Sequence, residues 1–189
     1  MTEEKTDNAA DQPVVTNVAL PVSLKPDGFA VILESVTRKI ASSAKGTGLV
    51  GAPLQEAISE VVTTAAREAV ETGGDLLFGT KAIIMGVVRG TGATKEAALQ
   101  TVAHAARIII HHTADRNGNL AAAIKGIVLG AIASARAMGV ETARAASMAA
   151  QGALEGASEA GSVTVERVLG ALKEPIGGNK VVLPEPLAT

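Results

Sequence analysis

A chain of 189 residues with a net charge of −2 has room for one ordinary domain rather than two, and it lacks the basic footprint that nucleic-acid binding requires. Apolar residues make up 47% and charged residues 19%, against about 25% charged in an average globular domain, so polar surface is scarce and oligomerisation or a hydrophobic partner is favoured. Cysteine is absent and Phe29 and Phe78 are the only aromatics, which excludes disulfides and thiolate chemistry and leaves a core of Ala, Val, Ile, Leu and Gly.

Residues 1–26 carry Pro13, Pro21 and Pro26 without a helical period and read as a flexible or extended arm. Within it VVTNVALPVS (14–23) suits an edge strand or a groove. The acidic start, MTEEKTDNAADQ, lacks the basic flank and following apolar run of a secretory leader. The longest stretch free of Asp, Glu, Lys and Arg, 12–24, is broken by proline and too short to cross a bilayer, which takes about 20 apolar residues. The expectation is a cytoplasmic protein without a transmembrane segment.

A leading helix over roughly 28–45 opens the domain, which spans 27–173. After it the chain repeats itself. QEAISEVVTTAAR (55–67) aligns with KEAALQTVAHAAR (95–107) at a shift of 40 (95 minus 55), and KAIIMGVV (81–88) aligns with KGIVLGAI (125–132) at a shift of 44 (125 minus 81). A degenerate third copy runs through TARAASMAAQGALEGA (142–157) and ERVLGALK (166–173). Each copy predicts a helix, a turn (TGGD 72–75, RNGN 116–119, AGSVT 160–164) and a second helix. The reading is all-α: three helical-hairpin repeats after a leading helix, stacked as a short solenoid or a compact bundle. Residues 174–189, with Pro175, Gly177 and Gly178 at their start, predict an extended tail.

The helices of a copy differ. Leu54, Ile58, Val61, Val62, Ala65, Ala66 and Ala69 make one apolar stripe opposite Glu56, Glu60 and Arg67, as in a half-wet helix. Residues 126–135 carry no charge at all, as in an interior helix. Mid-helix glycine costs about 1 kcal/mol relative to alanine. Yet Gly86 and Gly90, Gly126 and Gly130, and Gly152 and Gly156 repeat it at four-residue spacing. Such pairs let two backbones approach, so these six glycines predict a helix-packing seam, within the chain or between subunits.

Little chemistry-bearing pattern is present. His104, His111, His112 and Asp115 cluster on one predicted helix, and two histidines with a carboxylate are a ligand set for a divalent metal; the alternative is histidine at a helix C-terminus, favoured by the dipole. RGTGATKE (89–96) is glycine-rich, but Thr94 precedes Lys95 and the segment follows a helix, the reverse of a phosphate loop. It reads as a link with Thr94 as N-cap and Glu96 in the first turn. Glu155 and Glu159 read as a solvated face. No catalytic residue, and no cofactor, is indicated.

In its Ala/Gly-rich paired helices and QGALEGA (151–157) the chain resembles bacterial helical-repeat proteins and is loosely similar to phasins, helical proteins that coat polyester storage granules. The resemblance spans roughly residues 50–173 in character and assigns no functional residue. It implies a non-enzymatic structural or scaffolding protein, a homo-oligomer or a coat on a granule or lipid surface. The alternative is a small-molecule or metal-binding helical module using His104, His111 and His112, although scarce aromatics disfavour a small-molecule pocket.

Overall fold

The computed structural model describes residues 26–47, 52–72, 74–92, 94–178 and 181. The expectations for the N-terminal arm, and for the tail at 179–180 and 182–189, lie outside them. Among the described residues the chain forms seven α-helices and no strand: α1 (Pro26–Thr47), α2 (Ala52–Glu71), α3 (Leu76–Thr91), α4 (Lys95–Asp115), α5 (Leu120–Met138), α6 (Thr142–Ala160) and α7 (Ser162–Leu172).

Local chemistry sets most boundaries. Asp75 caps α3 by accepting from the Leu77 N–H, and Asn119 caps α5 by accepting from the Ala122 N–H. Gly92 and Gly139 end those helices in the left-handed region, at φ 54° and 63°, which costs glycine little. Thr94 does stand at the N-cap of α4, but its side chain makes no capping bond. The expected turn at 160–164 shrinks to one residue: α6 runs to Ala160 and α7 starts at Ser162, with Gly161 at φ 113° supplying the whole change of direction. Val163 and Thr164 lack the turn chemistry to hold a longer loop open.

The most extensive helix contacts skip a neighbour. α1, α3 and α5 lie side by side, with α7 beyond α5, and α2, α4 and α6 form a second row against the first. Between the rows lies one core, built from Ile40, Ile58, Val62, Ile83, Ile84, Leu99, Ile109, Ile110, Ile124 and Ile127. Among the described residues only α5 is long and apolar enough to cross a membrane, and 61% of its apolar window is buried. Its composition is that of a helix packed by α3, α4, α6 and α7. The tail returns to the core: Ile176 and Val181 are buried, and a Cβ added at Gly177 would stand 2.8 Å from Leu129 Cδ2 of α5.

All six seam glycines meet helices of their own chain. A methyl added at Gly86 would stand 2.9 Å from the Val36 Cβ, and one at Gly90 2.6 Å from the Ile40 Cβ, both on α1. At Gly126 it would overlap the Leu77 carbonyl and the Thr80 hydroxyl of α3; at Gly130 it would lie 2.9 Å from the Lys81 carbonyl oxygen. Gly152 and Gly156 of α6 sit against the Ala103 and Arg107 carbonyls of α4, where no Cβ would fit. Each pair lies across carbonyls four apart, a spacing that suits Cα–H···O contacts along two helices in register. Beside Gly126 the buried Thr80 hydroxyl is 2.6 Å from the Leu76 carbonyl and 3.1 Å from that of Ala123 on α5.

This packing changes one alignment. Gly86 and Gly90 do on α1 what Gly126 and Gly130 do on α3, at a shift of 40 (126 minus 86) rather than the 44 that matches KAIIMGVV to KGIVLGAI. The 44 survives only at the helix start, in the caps Asp75 and Asn119 (119 minus 75). Counted from the matched Gln55 and Lys95, α2 ends at Glu71 after 16 residues (71 minus 55) and α4 at Asp115 after 20 (115 minus 95), so α4 runs one turn further past the match, although the two helices are 20 and 21 residues long in all.

Candidate functional site

His104, Arg107, His111 and Asp115 fall at spacings of three, four and four and so follow one edge of α4. The opposite face of α4 buries Leu99, Val102, Ala106, Ile109, Ile110 and Thr113, which pins the helix and leaves that edge facing out. Between this edge and its neighbours lies a hollow of about 240 Å³, lined by Ser59 and Thr63 of α2, His104, Arg107, Ile108, His111 and His112 of α4, and Glu159 of α6. Gly152 and Gly156, seated against the carbonyls of Ala103 and Arg107, bring α6 close on the far side.

The four residues read as a metal set do not act together. His104 Nε2 lies 2.8 Å from the Ser59 hydroxyl, and that hydroxyl is 2.8 Å from the Gln55 carbonyl. Ser59 has one proton. With it donated to Gln55, the imidazole N–H donates to Ser59, so the pair ties α2 to α4 instead of activating a nucleophile. Burial, then the Arg107 guanidinium, push His104 below the usual histidine range, against the Gln55 backbone bond, which raises it. The neutral ring still makes the Ser59 bond.

His111, His112 and Asp115 do come together. His111 Nδ1 is 3.2 Å from Asp115 Oδ2, and the two imidazoles meet edge to face with centroids 5.6 Å apart. One ligand atom from each of the three lies within 4.8 Å of the others, a group that leaves out His104. His112 titrates below the usual range because of its burial first and the neighbouring His111 second.

Three residues around this edge carry no sequence signal. Ser59 is 45 positions from His104, and Glu71 is 45 positions from Arg116, to which it pairs at 2.6 Å. Glu159, expected on a solvated face, pairs with Arg107 at 2.5 Å. Only the shift of 40 hinted at these partners, by marking which helices lie side by side. In the RGTGATKE segment Glu96, in the first turn of α4, pairs with Arg144 of α6 at 2.7 Å.

Comparison of the chain with protein-family models, with curated proteins and with solved structures finds no match.

Proposed function

We propose that this chain is a non-catalytic helical-repeat scaffold of the cytoplasm that associates with further copies of itself, or coats a hydrophobic granule or lipid surface as a phasin does. In this reading α1 is the first helix of the odd row, and each later hairpin adds one helix to each row, making a short solenoid. The repeated polar ties support it: Ser59 to His104, Arg116 to Glu71, Arg144 to Glu96 and Lys125 to Glu174 span 45, 45, 48 and 49 positions, close to one repeat.

The observation that carries the reading is an exposed apolar side chain on the first and on the last of the described helices. Between α1 and α2 runs an apolar hollow of about 190 Å³, lined by Val31, Ile32, Val36, Val61, Ala65 and Ala69 among others. Val31 beside it is 63% exposed, and Val163 on α7, at the other end of the odd row, is 69% exposed. Large apolar side chains so exposed at both ends favour a contact that joins one end to the other, a head-to-tail association. The Ser59–His104 tie, with its serine proton on a backbone carbonyl, supports the absence of catalysis.

Sedimentation over a range of concentrations tests the reading. The wild-type mass should rise with concentration, and Val31→Glu or Val163→Glu alone should abolish the rise. Flotation with phosphatidylcholine vesicles identifies the coating form: protein that floats with vesicles and stays monomeric alone coats a surface. A chain that is monomeric throughout and does not float overturns both forms.

A further inference from the structure

We propose that His111, His112 and Asp115, on the last turns of α4, form a binding site for one divalent transition-metal ion of the zinc or nickel kind, independent of the scaffold role. The three ligand atoms already lie within 4.8 Å of one another, on a rigid helix. Zinc with ligands at 2.0–2.2 Å in a tetrahedron needs them about 3.4 Å apart, a closure that side-chain rotations supply without moving the backbone. One pair, His111 Nδ1 and Asp115 Oδ2 at 3.2 Å, is near that separation.

The donor set selects the ion. Two imidazole nitrogens and one carboxylate suit zinc, nickel, cobalt or copper, whereas magnesium and calcium call for oxygen ligands. Charge also permits it. Arg67, Arg107 and Arg116 lie around the cluster and repel a cation, but Arg107 and Arg116 are each held by a carboxylate, Glu159 at 2.5 Å and Glu71 at 2.6 Å, and Asp115 within the cluster opposes the rest. His111 and His112 are half-buried and Asp115 is exposed, which leaves a way in and a fourth position for water. Beneath them the fully buried Ile109, Ile110 and Thr113 hold the turn in place. His112 and Asp115 lie on the turn by which α4 runs past the aligned end of α2.

Calorimetric titration of the full chain with ZnCl₂, NiCl₂ and MgCl₂ tests the site, with circular dichroism checking that each variant is folded. One zinc or nickel ion per chain is expected, and no magnesium. Outer partners of metal ligands are worth about 10- to 100-fold in affinity, so loss of a ligand in His111→Ala or the near-isosteric Asp115→Asn should weaken binding at least about tenfold. His104→Ala, seven residues away and engaged with Ser59, should leave it unchanged. No heat with zinc or nickel, undiminished binding by Asp115→Asn, or equal losses in His104→Ala and His111→Ala would overturn the proposal.

Discussion

At the residue scale the glycines separate cleanly by what they face. Gly126 and Gly170 are both helical, yet a methyl at Gly126 would overlap the Leu77 carbonyl, a backbone atom that cannot swing aside, while at Gly170 it would meet nothing within 4 Å. Gly126→Ala should therefore lower stability by about 1 to 3 kcal/mol through overpacking, whereas Gly170→Ala should raise it by about 0.5 to 1 kcal/mol through helix propensity. Thermal melts of the two variants check this, and equal signs would contradict the geometry. His104 offers a second test. Its folded pKa lies below the unfolded value of about 6.5, so the unfolded chain binds protons more readily and stability falls as pH drops through that value. The contribution is intact above about pH 6.5 and lost as the pH falls toward the folded pKa. His112 acts in the same direction, while Arg107, His111 and Glu159 line the same hollow and do not change that sign for His104. His104→Gln keeps a donor for Ser59 without the titration, and the drop in melting temperature between pH 7.5 and 5.5 should become smaller in it (roughly the range over which histidine charges).

At the element scale the helix ends differ in how well they are closed. Asn119 satisfies an N–H at the start of α5, but Glu141 at the start of α6 makes no side-chain capping bond. Asn119→Ala should cost about 1 kcal/mol and Glu141→Ser should gain about 0.5 to 1 kcal/mol, measured by urea denaturation. The elements themselves were legible because apolar spacing and turn residues are local signals. Asp75, Asn117 and Asn119 announce the first two turns, and Asn117 does adopt a positive φ of 52°. The α6–α7 junction was misread as a loop because Ser162, Val163 and Thr164 join a helix start as readily as a turn, and only Gly161 carries the break. The alignment at 44 differs from the packing for a related reason: the half-buried lysines of KAIIMGVV and KGIVLGAI match at 44, but Lys81 lies over the Phe29 ring and Lys125 pairs with Glu174, and neither determines how backbones dock.

At the scale of the whole molecule the two rows are held by different means. Glycine pairs bring α1, α3 and α5 together, and a third pair joins α6 to α4; ion pairs and the Ser59–His104 bond then tie the even row at its surface. Exposed pairs of this kind contribute only about 0 to 1 kcal/mol each, so the even row rests on its apolar contacts and, between α6 and α4, on the Gly152 and Gly156 seam. Because all six glycines are occupied within the chain, they are not available to join subunits. Any assembly must use other surface, and among the described residues Val31, Val163 and, less exposed, Phe78 are the large apolar candidates. The charge introduced by Val31→Glu or Val163→Glu therefore tests association without touching the core, and the monomer should keep its melting temperature within about 0.5 kcal/mol of stability, as surface substitutions do.

Composition and periodicity alone determined the helical class, the interior character of 126–135, the leading helix and the six positions of close helix approach, since each follows from side-chain volume and polarity acting over one or two turns. The clustering of His111, His112 and Asp115 was also legible, because one helix brings them together. Tertiary structure decided what depends on distant segments meeting. It showed that the seam lies within the chain, that His104 turns to Ser59 rather than to the other histidines, and that Arg107 and Arg116 are neutralised by Glu159 and Glu71. Those partners lie 45 or more positions away along the chain, and no local preference of the backbone or side chain specifies contacts at that range; the docking of one helix on another does.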